Sequence, residues 1–253
     1  MIVLAFGFMC SGVWGCGGAG GDSCGVAGGA FFDGSGSGSG DSGGNNSGGS
    51  SSSPANAVRA NVAGDSFNYA VTGHYSQTGG AQKVSTSGTS SQTYTASTFG
   101  GQTSLLDSVS TVLAINGAQT TFLDAEQLSS TEVMLGQSDN GTMQAVTGGA
   151  FSLPANLTSS TALNATETLA NGTVVTVALK VVGAASVTTP AGTFASWQIT
   201  KTATYSDGTT SKDDLDFAPT IGAAVQAHHR NTYANGMSDS LTFTLSKYTL
   251  GGS

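Results

Sequence analysis

The residues able to do chemistry are few, and the densest group lies in the last fifth of the chain. His228 and His229 are adjacent, and Asp213, Asp214 and Asp216 lie a short way upstream. In a strand, consecutive side chains point to opposite faces, so the two imidazoles are poorly placed to share one metal. Adding His74 and the three aspartates makes a zinc set conceivable, but the ligand spacings of zinc sites are absent. The run Asp213-Asp214-x-Asp216 lacks the glycine and the distal glutamate of a calcium loop. A solvated turn ahead of a strand accounts for it. No Gly-x-Ser-x-Gly elbow, phosphate-binding loop or dinucleotide fingerprint occurs in residues 54–253. The expectation is a chain with no catalytic residues, no metal and no cofactor, and so not an enzyme.

Composition narrows the partners. Only 9% of residues are charged and the formal net charge is -8. The basic residues Arg59, Lys83, Lys180, Lys201, Lys212, Arg230 and Lys247 are scattered. Without a basic stripe, nucleic acid is not an expected partner, and anionic lipid has no electrostatic hold. Surface polarity has to come from Ser, Thr, Asn and Gln.

All three cysteines, Cys10, Cys16 and Cys24, fall at the N-terminus. The rest of the chain therefore has no disulfide framework and no thiolate metal site. Residues 2–14 form a short, mostly apolar run, too short to span a bilayer and suited to a signal-peptide core. It ends in Val13-Trp14-Gly15-Cys16. This resembles the lipobox of bacterial lipoproteins, although Trp14 is bulkier than that motif prefers and no Lys or Arg precedes the apolar run. The resemblance implies cleavage before Cys16, a diacylglycerol on its sulfur, and a membrane as partner through the lipid. Gly17, where an Asp commonly retains lipoproteins at the inner membrane, favours the outer membrane of a Gram-negative envelope. An ordinary cleaved signal peptide or a buried N-terminal strand remain the alternatives.

Three segments follow: a signal peptide with lipobox at 1–16, a disordered Gly/Ser tether at 17–53 and a β-domain at 54–253. The tether holds little beyond Gly, Ser, Asp, Asn and Ala. Such a run cannot bury enough apolar surface to offset its ordering entropy. As a flexible coil it reaches roughly 30 to 35 Å.

From Asn56 onward apolar residues recur with period two, as in Phe67, Tyr69, Val71; Val175, Val177, Leu179; Trp197, Ile199; and Leu241, Phe243, Leu245. Asn116-Gly117, Asn140-Gly141, Asn171-Gly172, Asp207-Gly208 and Asn235-Gly236 separate the runs as hairpin turns. The pattern predicts an all-β domain, a curved antiparallel sheet or incomplete barrel built of hairpins. Asp124 to Leu135 is the one candidate for a short helix.

Three segments carry a wider likeness: Gly64-Asp65-Ser66-Phe67-Asn68-Tyr69, Val187-Thr188-Thr189-Pro190-Ala191-Gly192-Thr193-Phe194, and Phe217-Ala218-Pro219-Thr220-Ile221-Gly222-Ala223-Ala224-Val225. In this order they resemble a group of uncharacterised bacterial exported lipoproteins, similar in expected architecture to the lipoprotein-carrier fold. The likeness covers 64–75 and 171–250; residues 76–160 match nothing, and Thr220 stands where Gly is usual. It implies a fold and carries no site residues.

A curved sheet with an apolar concave face can hold an apolar molecule. Phe194, Trp197, Phe217, Phe243 and Tyr248 are the candidates to line such a cavity; core filling is their bland alternative. The expected function is a non-enzymatic envelope lipoprotein whose β-domain binds an apolar small molecule or an envelope protein. The alternative is a structural or adhesive surface module on a flexible stalk.

Overall fold

The computed structural model describes residues 53–76, 83–129, 133–139, 142–149 and 151–252. Cys16, the signal-peptide segment, the tether up to residue 52 and the Asn140-Gly141 turn lie outside the described residues.

Twelve antiparallel strands follow in chain order: β1 (Ser66–Ser76), β2 (Lys83–Phe99), β3 (Gln102–Ile115), β4 (Ala118–Ser129), β5 (Met134–Asp139), β6 (Thr142–Gly148), β7 (Ala162–Leu169), β8 (Val174–Thr189), β9 (Gly192–Tyr205), β10 (Thr210–Ala218), β11 (Ala223–Thr232) and β12 (Ser238–Thr249). Each strand pairs with its neighbours in sequence, and β1 pairs with β12 from Ser66↔Thr249 to Ser76↔Ser238. The curved sheet predicted from the hairpins therefore closes fully into a barrel. Closure removes every free edge, so no ladder is left exposed for another chain to extend.

Local sequence sets the turns. Between β3 and β4, Asn116 has φ 51° and Gly117 φ 79°. Both central residues are left-handed, as a type I′ hairpin requires, and Asn-Gly is the pair that adopts this at least cost. Asp124 to Leu135 is not a helix. Asp124, Glu126 and Leu128 alternate into the barrel along β4, which pairs with β3 from Ser104↔Ser129 to Ile115↔Ala118. A period of two, with a full partner strand alongside, overrides the helical propensity of the segment. No helix occurs among the described residues.

The two wall faces differ. Inward, Phe67, Tyr69, Val71, Val175, Val177, Leu179, Leu241 and Leu245 are each no more than 2% exposed. Rings meet edge-on inside, Phe67 on Tyr94 at 6.2 Å and Tyr69 on Phe243 at 6.4 Å. Outward, β2 shows Lys83, Ser85, Ser87, Thr89, Ser91, Thr93 and Thr95. Among the described residues the exposed large hydrophobics are Val62, Leu123 and Val182. A barrel in hydrocarbon carries an apolar belt outside; the outer row of β2 is made of Ser and Thr after Lys83.

One end of the barrel is plugged. The stretch after Pro54 runs beneath it: the Leu157 N–H donates to Asn56 O at 2.8 Å, Val58 N–H to Ala155 O at 2.8 Å, and Arg59 N–H to Pro219 O at 2.9 Å. Phe151, Leu153 and Leu157 of the β6–β7 connection are buried above it. Asp65 fastens the plug. Its carboxylate accepts from both Arg59 Nη atoms (2.7 and 2.8 Å), Val62 N–H (2.8 Å) and Gly251 N–H (2.6 Å), while being 1% exposed. One side chain thus ties the entry to β1 to the exit from β12. Gly222, at φ 71°, closes the same end; a Cβ there would meet Arg59 O at 2.5 Å.

Breaking this knot leaves a half-buried cation and two orphaned amides. Asp65→Ala is expected to cost about 3 kcal/mol of unfolding free energy, measured by urea denaturation. A loss below about 0.5 kcal/mol would show that closure does not depend on it.

Candidate functional site

The β10–β11 hairpin carries the residues that sequence reading singled out, and it distributes them over both faces of the wall. Its register pairs Asp213 with His229 and Asp214 with His228. Strand alternation sends the first pair inward with Leu215 and Phe217, and the second pair outward with Asp216 and Gln226. The two adjacent histidines do point apart, as expected. Among the described residues no group of three or more His, Cys, Asp or Glu side chains could hold a metal ion.

Inside, His229 Nδ1 bonds Asp213 Oδ1, with both side chains at most 6% exposed. His229 Nε2 has no hydrogen-bond partner among the described residues. Burial opposes a charge on His229, but Asp213 beside it and Asp239 prevail and raise its pKa. Asp239, Asp124 and Lys201 interact with His229, and Asp107, Asp124, Glu167 and Lys201 interact with Glu126. Gln92 Nε2 donates to Asp107 at 2.8 Å and to Tyr94 OH at 2.9 Å. Tyr233 OH donates to Asp239 at 2.6 Å. The Phe151 N–H reaches Glu167 at 2.5 Å, and its ring centroid lies 5.8 Å from Lys201 Nζ. Inward carboxyls outnumber inward cations in this cluster. Burial, joined by Asp107, pushes Glu126 up to about 8. Burial pushes Asp124 to about 7 against the pull of His229. Glu167 and Asp239 are raised for the same first reason. Burial in this interior thus favours the protonated form of these acids, against the pull of Lys201 and His229.

Outside, strands β8 to β12 bend into a trough of about 450 Å³. Val182, Gln198, Thr200, Asp214, Asp216, Gln226, His228 and Thr242 line it. The bend has a local cause. Ladder shifts fall at Val181/Gly183 on β8 and opposite Asp216/Phe217 on β11, leaving Val182 and Val225 as extra residues. Such bulges kink a strand and re-aim its side chains. Thr200 Oγ1 (2.9 Å), Arg230 (2.9 Å) and Lys212 (3.1 Å) all bond Asp214. Burial tends to raise the Asp214 pKa, but those hydrogen bonds and charges outweigh it and lower it. His228 is held by Thr242 at Nδ1 (3.0 Å) and Ser240 at Nε2 (3.2 Å). Burial and then Arg230 depress its pKa, so it is neutral at pH 7. Asp216 is raised by burial, and its Oδ1 has no hydrogen-bond partner among the described residues.

The five aromatic candidates lie elsewhere. Phe194, Trp197, Phe217 and Phe243 are 8% exposed or less and belong to the packed core. Trp197 Nε1 donates to Ala55 O of the plug at 3.0 Å. Tyr248 packs edge-on against Phe194 at 6.0 Å. None of the five lines the trough. Sequence reasoning missed the inward acids, though a signal existed: Asp124 and Glu126 keep the parity of Phe122 and Leu128, and that period is hidden once the segment is read as a helix.

No family model and no curated relative matches the chain. Among solved structures, the chain is similar to a candidate exported protein with a YmcC-like fold from Bacteroides fragilis, at 12% identity and TM-score 0.40, covering 77% of this chain and 99% of that one. It is also similar to a candidate lipoprotein from Parabacteroides distasonis, at 12% identity and TM-score 0.36, with the same coverages.

The interior sets a pH dependence. Glu126, Asp124 and His229 all have folded pKa values above their ordinary ones. Each favours folding at low pH, and its contribution is lost as pH rises through the folded value. The midpoint of thermal unfolding is expected to fall by about 5 °C or more between pH 5 and pH 9. Glu126→Gln should remove a large part of that fall. An equal fall in the variant would mean that Glu126 is ionised throughout.

Proposed function

We propose that the chain is a non-enzymatic envelope lipoprotein that holds its barrel in water and binds a polar ligand in the outer trough of β8–β12. The trough carries this reading. It has the volume of a small-ligand site, and its wall presents amides, hydroxyls, a neutral imidazole and a carboxyl. A polar ligand is favoured over an apolar one because the aromatic side chains that would receive an apolar molecule are consumed in the core.

The absence of an apolar belt on the described strand faces supports attachment by an anchor rather than by the barrel wall. Cys16 is the acylation site in this reading. Gly17 after it favours the outer membrane, and the following Gly/Ser run supplies reach. The non-enzymatic part rests on the position of Asp213 and His229. This is the acid–base pair most suited to catalysis, and it faces the core at 4% and 3% exposure. A second reading, an adhesive module on a stalk, draws support from the flat Ser/Thr row along the outside of β2.

Cys16→Ser is expected to move the protein from the membrane fraction to the soluble envelope fraction. Retention of the variant in the membrane fraction would contradict the lipid anchor.

A further inference from the structure

Within the reading of the trough as a ligand site, we infer that its ligand is an uncharged, hydroxyl-rich molecule, a glycan, hydrogen-bonded by Asp216, Gln198 and Gln226.

The argument proceeds by what the trough offers and what it withholds. The cations beside it, Arg230 and Lys212, are both engaged by Asp214. Two cations facing Asp214 and Asp216 leave no surplus positive charge, so a phosphate or sulfate group gains nothing there. The same balance gives a polyamine no net negative field to enter. Both His228 ring nitrogens are taken up by hydroxyl groups, at Thr242 and Ser240, and burial with the neighbouring Arg230 disfavours a charge on it.

What remains is a set of directional donors and acceptors. The Gln198 amide donates to Asp216 and keeps its oxygen as an acceptor, while the Gln226 side chain offers an amide with both polarities. Asp216 is half-buried in the trough wall and accepts a hydrogen bond from Gln198; as a carboxyl it can accept from a ligand hydroxyl at whatever oxygen surface faces the trough. Thr242 and Thr200 carry hydroxyls that can extend such a network. Val182, 58% exposed on its bulge, supplies an apolar contact at the rim, suited to the C–H face of a sugar ring.

A peptide is disfavoured by topology. Extended peptides commonly bind by adding a strand to a free sheet edge. Here β8 to β12 are all internal to a closed ladder, so no backbone edge is on offer, and recognition has to come from side chains across the strands. A span of five strands is about 19 Å at the usual spacing, which suits an oligosaccharide better than a single small molecule.

The test is calorimetric titration of the full chain with uncharged oligosaccharides of glucose, mannose and N-acetylglucosamine, with spermine and inorganic phosphate as charged probes. At least one neutral oligosaccharide is expected to bind. Asp216→Ala and Gln226→Ala should each weaken it at least tenfold with unfolding temperatures unchanged. Thr89→Ala, on the outer row of β2, should leave binding intact. Binding of spermine or phosphate alone would overturn the glycan assignment and leave the trough standing as a ligand site. Glycan binding untouched by both trough variants, or abolished by Thr89→Ala, would overturn the trough itself. Failure of every probe to bind would overturn both.

Discussion

Closure of the sheet on itself, through the pairing of β1 with β12, is the constraint from which the rest of the molecule follows. Twelve strands in simple meander order leave two edges, and each edge would be a row of unpaired N–H and C=O groups. Joining them gives every strand two neighbours and divides the side chains strictly into inside and outside. The junction is held at its base by Asp65, which binds the entering segment through Arg59 and Val62 and the leaving one through Gly251. A carboxylate buried in this way is tolerable only because its lone pairs are so fully used.

That division lets one hairpin carry two unlike chemistries. On β10 and β11 the odd-numbered residues Asp213 and His229 enter a crowded acidic interior, while Asp214, Asp216 and His228 face water. The interior is polar at an energetic cost. Four of its carboxyls, Asp124, Glu126, Glu167 and Asp239, are raised mainly by burial, Glu126 up to about 8. Buried ionisable groups of this kind seldom add to stability and often add to uniqueness of packing. The outer face avoids that cost. There the bulges at Val182 and Val225 bend the wall so that polar groups gather in a trough that stays open to solvent.

Much of the wall was legible in the sequence because a strand's signals are local. Asn-Gly and Asp-Gly turns and period-two runs such as Phe67, Tyr69, Val71 identified the hairpins, and the adjacent histidines were correctly placed on opposite faces. The closure was not legible, because pairing of β1 with β12 joins residues at opposite ends of the domain and no local pattern encodes it. The candidate helix near Asp124 holds good helix formers from Ala125 to Leu128, but full pairing with β3 makes it a strand. The trough was hidden for a related reason. Its lining residues come from five strands, and the bulges that bend those strands depend on register, which single-sequence periodicity does not carry. Of the aromatic residues expected to line a cavity, Phe194, Trp197, Phe217 and Phe243 are buried in the core cluster and Tyr248 packs against it.

The most direct measurement of the two-faced hairpin is an NMR titration of the histidine ring signals. The account predicts that His228 and His229, neighbours on one strand, titrate on opposite sides of the ordinary histidine value: His228 below it, and His229 above it with its Nδ1 proton shielded from exchange by Asp213. Two histidines titrating together near 6.5, with equally fast proton exchange, would contradict the separation of faces on which the barrel, its acidic interior and its outer trough all depend.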